Sequence, residues 1–367
     1  MIPSLRNLDW HSFLARPPLP PPPPEVLDAL RQNSILITGA GGSIGSALAL
    51  RLAALAPPML LLLEASESHL YSLVREWSVA GLASPMTPIL GNAADRALLE
   101  EIFAAHDPRI VFHTAAYKQV PLMEEHPLAA IANNVFATET LVQVAARHGA
   151  RVVLLSTDKA VEPASVMGAT KRVAEQIVLA SCGTVLRLGN VLASRDSVAE
   201  VFARQIALGG PITVTDPAAR RYFLTLDEAV GLLLIAAALP QPPALLAPVL
   251  PPAHFISDLA RFMAAALAPD RQIAIDFTGL RPGEKEAELL WSQDDSAHPA
   301  SQGDLVSIQM ARLSEPSLNS SLASLRAALD ARDLPAALAQ LRKLVPDYTP
   351  SQAVLALSRQ HGPRVSI

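Results

Sequence analysis

Residues Ile35 to Gly45 read ILITGAGGSIG, and this stretch decides the fold. A short β-rich run leads into a cluster of glycines, and Ser43 then opens a segment with helical spacing. Glycines let the backbone turn tightly and approach a pyrophosphate, whose charge then sits at the N-terminus of the next helix. A lone glycine pattern is weak evidence. Here it follows a predicted strand, opens a predicted helix and begins a β-α-β unit, which is the context that gives it meaning. Gly39, Gly41, Gly42, Ser43, Ile44 and Gly45 are therefore expected at a dinucleotide.

Outward from this motif, short β-rich runs alternate with helical stretches. Strands are expected at Ser34–Ile37, Met59–Leu63, Pro88–Leu90, Ile110–His113, Arg151–Ser156 and Val185–Leu188. Helices are expected over Ser43–Leu55, Ser68–Val79, Arg96–Ala105 and a long stretch centred on Ala129–His148. Such alternation implies parallel crossovers, hence an α/β fold with a Rossmann-type doubly wound parallel sheet.

Beyond Pro240 the texture changes. The segment PQPPALLAPVLPPAH is proline-heavy and low in charge, a loop or irregular strand region. Helices at Ile256–Leu267 and Ser321–Leu344 flank a strand at Ile273–Phe277, and the polar stretch Gln293–Gly303 reads as a flexible loop. The expected division is an N-terminal arm with a polyproline linker (1–33), an NAD(P)-binding Rossmann domain (34–240) and, at 241–367, mainly a smaller C-terminal α/β substrate-binding lobe with terminal helices. Segments of that lobe begin near residue 190. Pro17 to Pro24 holds seven prolines broken only by Leu19, a stiff spacer or docking arm, with recruitment of a partner domain as the alternative.

Composition narrows the function classes. Half of the 367 residues are apolar and 17% are charged, which suits a compact globule. A net charge of −5 without a basic block gives nucleic-acid binding no electrostatic support. The lone Cys182 excludes an internal disulfide, fits a reducing cytosol and is expected to be a buried, inert thiol. The first residues lack the apolar core of a signal peptide. The greasiest run, Ala229 to Leu239, is 11 residues long, short of the ~20 that span a bilayer. No transmembrane segment is expected, and the cytoplasm is the expected compartment.

At the cofactor end, the second strand closes on Glu64, whose carboxylate can accept from an adenosine ribose and repel a 2′-phosphate. That favours NAD, with NADP as the alternative. Asn92 and Ala93 follow the third strand and are placed to meet the adenine; Ala115 and Ala116 follow the fourth, towards the pyrophosphate and nicotinamide ribose. His106, His113, His126 and His148 have no metal-ligand spacing, so no metal is indicated.

Six motifs now carry a resemblance: TGAGGSIG, HTAAYKQVPLMEEHP, STDKAVEPASVMGATKRVAE, LRLGNVLASRDSV, ITVTDPAARRYFLT and GLRPGEKEAELL. Their order resembles that of the polysaccharide-biosynthesis nucleotide-sugar 4,6-dehydratases, extended short-chain dehydrogenase/reductases, from about Phe13 to the C-terminus. The resemblance implies conversion of UDP-N-acetylglucosamine to a 4-keto-6-deoxy sugar nucleotide with a tightly held NAD or NADP. Its partners would be a UDP-sugar and further copies of the same chain. Short family members carry tyrosine four residues before the active-site lysine and invert carbon 5. Long members, with N-terminal membrane helices, carry methionine there and retain the configuration. Met167 stands four residues before Lys171, so this chain is similar to a long-branch catalytic domain. It departs from the family at Ala193 and Asp196, where glycine is usual, at Asn92, where aspartate is usual, and at Glu64, where aspartate is commoner.

A thioether is neither acid nor base, so the proton transfers must lie elsewhere. Dehydration oxidises carbon 4, and the ketone acidifies the carbon 5 proton enough for a modest base. Lys159 resembles the family's carbon 5 base and Asp158 the acid for the departing carbon 6 hydroxyl; a surface ion pair is the plainer alternative. Lys171 would bind the nicotinamide ribose, and Thr157, through a water, would hold the sugar's 4-hydroxyl. On the substrate side Asn190 resembles a residue that touches the diphosphate or the sugar, and Arg195 and Arg221 are candidates for the diphosphate. Arg281 and Glu284 resemble the family's uridine-facing loop, and Lys118 and Glu124 are candidates for the sugar pocket. For the charged residues a surface ion pair or solvated loop is the alternative. A 5-inverting dehydratase, an epimerase on a related UDP sugar and a non-catalytic NAD-binding homologue are the competing readings.

Overall fold

The computed structural model describes residues 5, 8–82, 84–239, 244–300 and 304–360. Among these, nine strands form one sheet in the order Ser296–Pro299, Leu305–Gln309, Leu245–Pro248, Thr184–Leu188, Arg151–Thr157, Ile110–His113, Ile35–Thr38, Leu60–Glu64 and Met86–Leu90. Every pairing from Leu245–Pro248 to Met86–Leu90 is parallel. The remaining two strands pair antiparallel at the edge. Ile35, Leu36 and Ile37 are wholly buried, as are Leu60, Leu61 and Leu62. Unbroken apolar runs of this kind are what a parallel sheet covered on both faces requires. The fold is thus the α/β doubly wound sheet read from the sequence.

The strand order reverses between Ile35–Thr38 and Ile110–His113, where Thr38 pairs with His113. Ligands of doubly wound sheets bind in the crevice at such a switch point, beyond the carboxyl ends of the strands. One face of the sheet is covered by Ser43–Ala53, Leu226–Ala238 and Pro24–Arg31. The other is covered by Arg96–His106, Ala137–Arg147 and Val166–Ala180, with Glu315–Asp330 and Leu334–Leu344 packed beside them. A third, smaller core gathers Phe202, Ile212, Val214, Phe223 and Met263 over the carboxyl ends of the strands.

The arm joins these cores. Trp10, Phe13 and Leu14 are buried in the small third core, whereas Val26 and Leu30 belong to the second. Arg16 pairs with the buried Glu228 carboxylate at 2.6 Å, and the Leu19 N–H donates to the same oxygen at 2.9 Å. The prolines therefore run along the chain's own body. The 11 apolar residues from Ala229 lie mostly in Leu226–Ala238, and among the described residues no helix is long and apolar enough to cross a membrane.

Several expectations need correction. The sheet's last three strands come from beyond residue 240, so the stretch 241–367 supplies sheet edge and covering helices as well as lobe. Within the expected loop Gln293–Gly303, Ser296–Pro299 is a strand, held by Leu305–Gln309 despite its polar sequence; residues 301–303 lie outside the described set, as do 240–243 of the proline-rich segment. The helix expected at Ser321–Leu344 is two, because Arg332 takes a left-handed φ of 53° and Asp333 caps the second. The long helix around Ala129–His148 is interrupted by a π-helical turn at Ile131–Phe136. Cys182 is exposed, since it sits in the turn after Val166–Ala180 with φ 62°.

Candidate active site

A cavity of about 790 Å³ opens over the switch point and extends beneath the small lobe. At its cofactor end lie Gly39, Gly42, Ser43, Ile44 and Gly45. Gly39 has φ +67°, and a Cβ there would stand 2.7 Å from the Ala115 backbone. Only glycine lets the two loops meet so closely. Gly42 caps Ser43–Ala53 without a side chain, leaving the first amides of that helix to a ligand. Glu64, Asn92, Ala93, Ala115 and Ala116 line the same end. The Glu64 carboxylate accepts from the Gly41 N–H at 2.9 Å and from Ser66 N–H at 2.9 Å, so it also shapes the turn. Gly41 itself lies behind the wall, against His69. This cradle fits a dinucleotide: open helix amides for the pyrophosphate and an acidic strand end for the ribose. His69 was not singled out in the sequence. It follows Ser66, the N-cap of Glu67–Val79, and only the close packing on Gly41 brings it to the cavity.

Thr157, Lys159, Met167 and Lys171 share the middle of the cavity. The strand Arg151–Thr157 delivers Thr157, and a single 3₁₀ turn then carries Asp158 and Lys159. Ser165 caps Val166–Ala180 by accepting from Gly168 N–H, which points Met167 and Lys171 at the strand end. A Cβ on Gly168 would lie 2.1 Å from the Lys159 carbonyl oxygen, so a glycine after Met167 lets the helix approach that turn. Lys171 donates to the Leu155 carbonyl at 2.8 Å, and burial pushes its pKa down to about 8.

Asp158 is fully buried and does not itself line the cavity. Its Oδ1 accepts from the Thr157 hydroxyl at 2.9 Å and from Lys159 Nζ at 3.0 Å. Its Oδ2 is buried without a hydrogen bond among the described residues. Lys159 Nζ also donates to Asn190 Oδ1 at 3.1 Å and stands 3.9 Å from Glu288. Burial works against the ammonium, but the Asp158 and Glu288 carboxylates outweigh it and hold the pKa above the ordinary lysine value. Glu288 lines the cavity and pairs with Lys285 at 2.7 Å. It was missed in the sequence although it lies in GLRPGEKEAELL; the motif carries three glutamates, and only the fold shows which one turns towards Lys159.

Asn190, Arg195, Arg221, Arg281, Glu284 and Lys118 also line the cavity. Arg221 is buried and 3.4 Å from Glu284, which meets exposed Arg281 at 3.2 Å. Lys118 donates to the Arg195 carbonyl at 2.6 Å. Glu124 sits elsewhere: buried, it accepts from the Val166 N–H and from Ser351, so it anchors the start of the Met167 helix. A second helix, Val198–Ala207, also begins at the cavity, capped by Ser197 with no side-chain bond. Two open helix N-termini thus face one space, room for two phosphate groups. His113 lies below, between Thr38 and Thr138 hydroxyls, and burial drives its pKa to about 3. No group of metal-ligating side chains is found among the described residues.

Residues 35–310 match the polysaccharide biosynthesis protein family. The probable polysaccharide biosynthesis protein EpsC of Bacillus subtilis (strain 168) is 36% identical over 301 residues, 79% of this chain and 50% of its own. The chain thus spans about half the length of this curated relative. UDP-glucose 4-epimerase of Rickettsia canadensis (strain McKiel) is 38% identical over 217 residues, 56% of this chain and 63% of its own. Among solved structures, Pen from Bacillus thuringiensis is similar with a TM-score of 0.70 and 25% identity, covering 80% of this chain and 98% of that one.

Proposed function

The chain belongs to the polysaccharide biosynthesis protein family, and we propose that it is a nucleotide-sugar 4,6-dehydratase acting on UDP-N-acetylglucosamine with NAD, retaining the configuration at carbon 5. The observation that carries this reading is the Lys159 ammonium, 3.0 Å from Asp158, in a cavity that also holds Met167 and Lys171. Two helix N-termini suit the diphosphates of a dinucleotide and of a sugar nucleotide. The Glu64 carboxylate disfavours a 2′-phosphate, which supports NAD over NADP.

Bound NAD would accept the carbon 4 hydride and return it to carbon 6, so no outside oxidant is required. The chain supplies positions and protons. Thr157 holds the 4-hydroxyl, directly or through a water, and its own proton points to Asp158. Moving one proton across the Lys159–Asp158 hydrogen bond converts the ion pair into a neutral amine and a neutral acid. The amine then removes the carbon 5 proton. The acid, shut away from the cavity, passes its proton out through the Thr157 hydroxyl to the carbon 6 hydroxyl, which leaves as water. Return of the proton from Lys159 to the same face of carbon 5 retains the configuration. As the hydride leaves, the 4-hydroxyl sheds its proton to solvent through the water beside Thr157. Lys159 takes a matching proton back from solvent, which restores the ion pair. Met167 gives shape and leaves space for the water that a phenol would fill.

A second reading, 4-epimerisation, is favoured by the 38% identity to a UDP-glucose 4-epimerase. An epimerase has no carbon 5 proton to remove and leaves the paired Lys159 and Asp158 without a task. Incubation with UDP-N-acetylglucosamine followed by NMR separates the two. A methyl doublet at carbon 6 beside a 4-keto carbon is expected; a product with an intact carbon 6 hydroxymethyl and inverted carbon 4 would overturn the dehydratase reading.

A further inference from the structure

The segment between the strand Asn190–Val191 and the helix Val198–Ala207 belongs to the small lobe, yet it is tied to the glycine-rich loop. The Arg195 N–H donates to Ser43 Oγ at 2.8 Å, and its guanidinium Nη1 donates to the Gly41 carbonyl at 2.8 Å. From the opposite side, Lys118 donates to the Arg195 carbonyl at 2.6 Å, and Gln119 to the Asp196 carbonyl at 3.4 Å. Gly41 and Ser43 follow the strand Ile35–Thr38, whereas Lys118 and Gln119 follow Ile110–His113. These are the two strands that flank the switch point, so the segment lies across the crevice where a dinucleotide's pyrophosphate would rest.

We propose that residues 193–197 are a latch that retains the dinucleotide, with Arg195 as its bolt. The proposal rests on the dinucleotide reading of the cavity and reassigns Arg195, whose sequence motif suggested the sugar-nucleotide diphosphate. The guanidinium reaches the glycine loop, and Ser43, accepting from the Arg195 backbone, keeps its own proton for a phosphate oxygen. A charged group held beside the open N-terminus of Ser43–Ala53 adds to the field that the helix amides already provide. Dissociation of the dinucleotide then requires the Arg195 contacts to break first. Such a device suits an enzyme that takes a hydride and gives it back to the same molecule, since nothing is gained by exchanging the cofactor between turnovers.

The test is the release rate of the dinucleotide, read without any sugar. Purified protein is loaded with NADH and chased with excess NAD, and the loss of bound NADH fluorescence is followed. Arg195→Ala is expected to release NADH roughly tenfold faster or more and to purify with less bound dinucleotide. Lys118→Met, which cuts the tie on the far side without touching the glycine loop, should act in the same direction and guards against Arg195→Ala failing to fold. Unchanged release in both variants, or an Arg195→Ala protein whose only defect is a raised KM for the sugar nucleotide, would overturn the latch. Fast release in the variants with no turnover of UDP-N-acetylglucosamine by the wild type would sustain the latch and reject the dehydratase reading.

Discussion

Lys159 Nζ and Asp158 Oδ1 lie 3.0 Å apart although the residues are neighbours in sequence, because a single 3₁₀ turn folds both side chains to one side of the strand end. The same oxygen receives the Thr157 hydroxyl. Three consecutive residues thus form one proton-sharing unit. Only its carboxylate is shut away from the cavity.

Lys159→Met is expected to abolish dehydration while leaving dinucleotide binding intact, because the amine acts at carbon 5. Asp158→Asn should slow loss of the carbon 6 hydroxyl and still allow exchange of the carbon 5 proton with solvent. Turnover and deuterium incorporation from D₂O, measured separately, check both. Near wild-type turnover by Lys159→Met would remove it as the base.

Met167→Tyr should give little gain or a loss, since the phenol would crowd the space beside Thr157. Thr157→Val, close in shape but without the hydroxyl, should be damaging. A Met167→Tyr protein about tenfold faster in kcat, equivalent to ~1.4 kcal/mol of barrier, would show the thioether to be a defect.

Behind the site, Arg187 and Glu175 are wholly buried and joined at 2.8 Å by two hydrogen bonds, while Glu175 also accepts from Ser156 at 2.6 Å. Arg187→Met should cost about 3 kcal/mol in chemical denaturation, because it leaves the buried Glu175 carboxylate with only the Ser156 hydroxyl and the longer 3.4 Å pairing to Arg172. The double change with Glu175→Leu should recover much of that loss. Burial opposes the Glu175 charge, but Arg187 outweighs it and lowers the pKa from 4.5. The pair's contribution is therefore present above pH 4.5 and lost as pH falls through the lowered value. Wild-type stability should drop more steeply in acid than that of the double variant.

Much of the architecture was legible because it rests on local signals. The glycine cluster after an apolar run, the strand–helix alternation and the lysine four residues after Met167 each fix backbone and neighbours within one turn or strand. What the sequence concealed depends on distant partners. Ser296–Pro299 is polar and becomes a strand only through pairing with Leu305–Gln309. Glu124 lies in a motif that suggested the sugar pocket, but Val166 and Ser351 claim its oxygens. Glu288 reaches Lys159 across 129 positions, a contact with no local signature.

The departures from glycine at Ala193 and Asp196 also acquire a physical meaning. Both residues take left-handed backbone conformations, φ 57° and 56°, which a side chain disfavours. Ala193→Gly should raise the stability of dinucleotide-free protein by about 0.5–1 kcal/mol in denaturant titrations, net of glycine's added entropy. Asp196→Gly should do less, because aspartate tolerates this conformation better. Destabilisation by both would contradict the assigned backbone.

The most direct test of the central claim uses UDP-N-acetylglucosamine deuterated at carbon 4. If the cavity carries out dehydration with internal hydride return, NMR and mass spectrometry of the product will place the deuterium on the carbon 6 methyl group, beside a 4-keto carbon. Deuterium found again at carbon 4 of an inverted sugar with its carbon 6 hydroxyl intact would contradict the account and identify an epimerase.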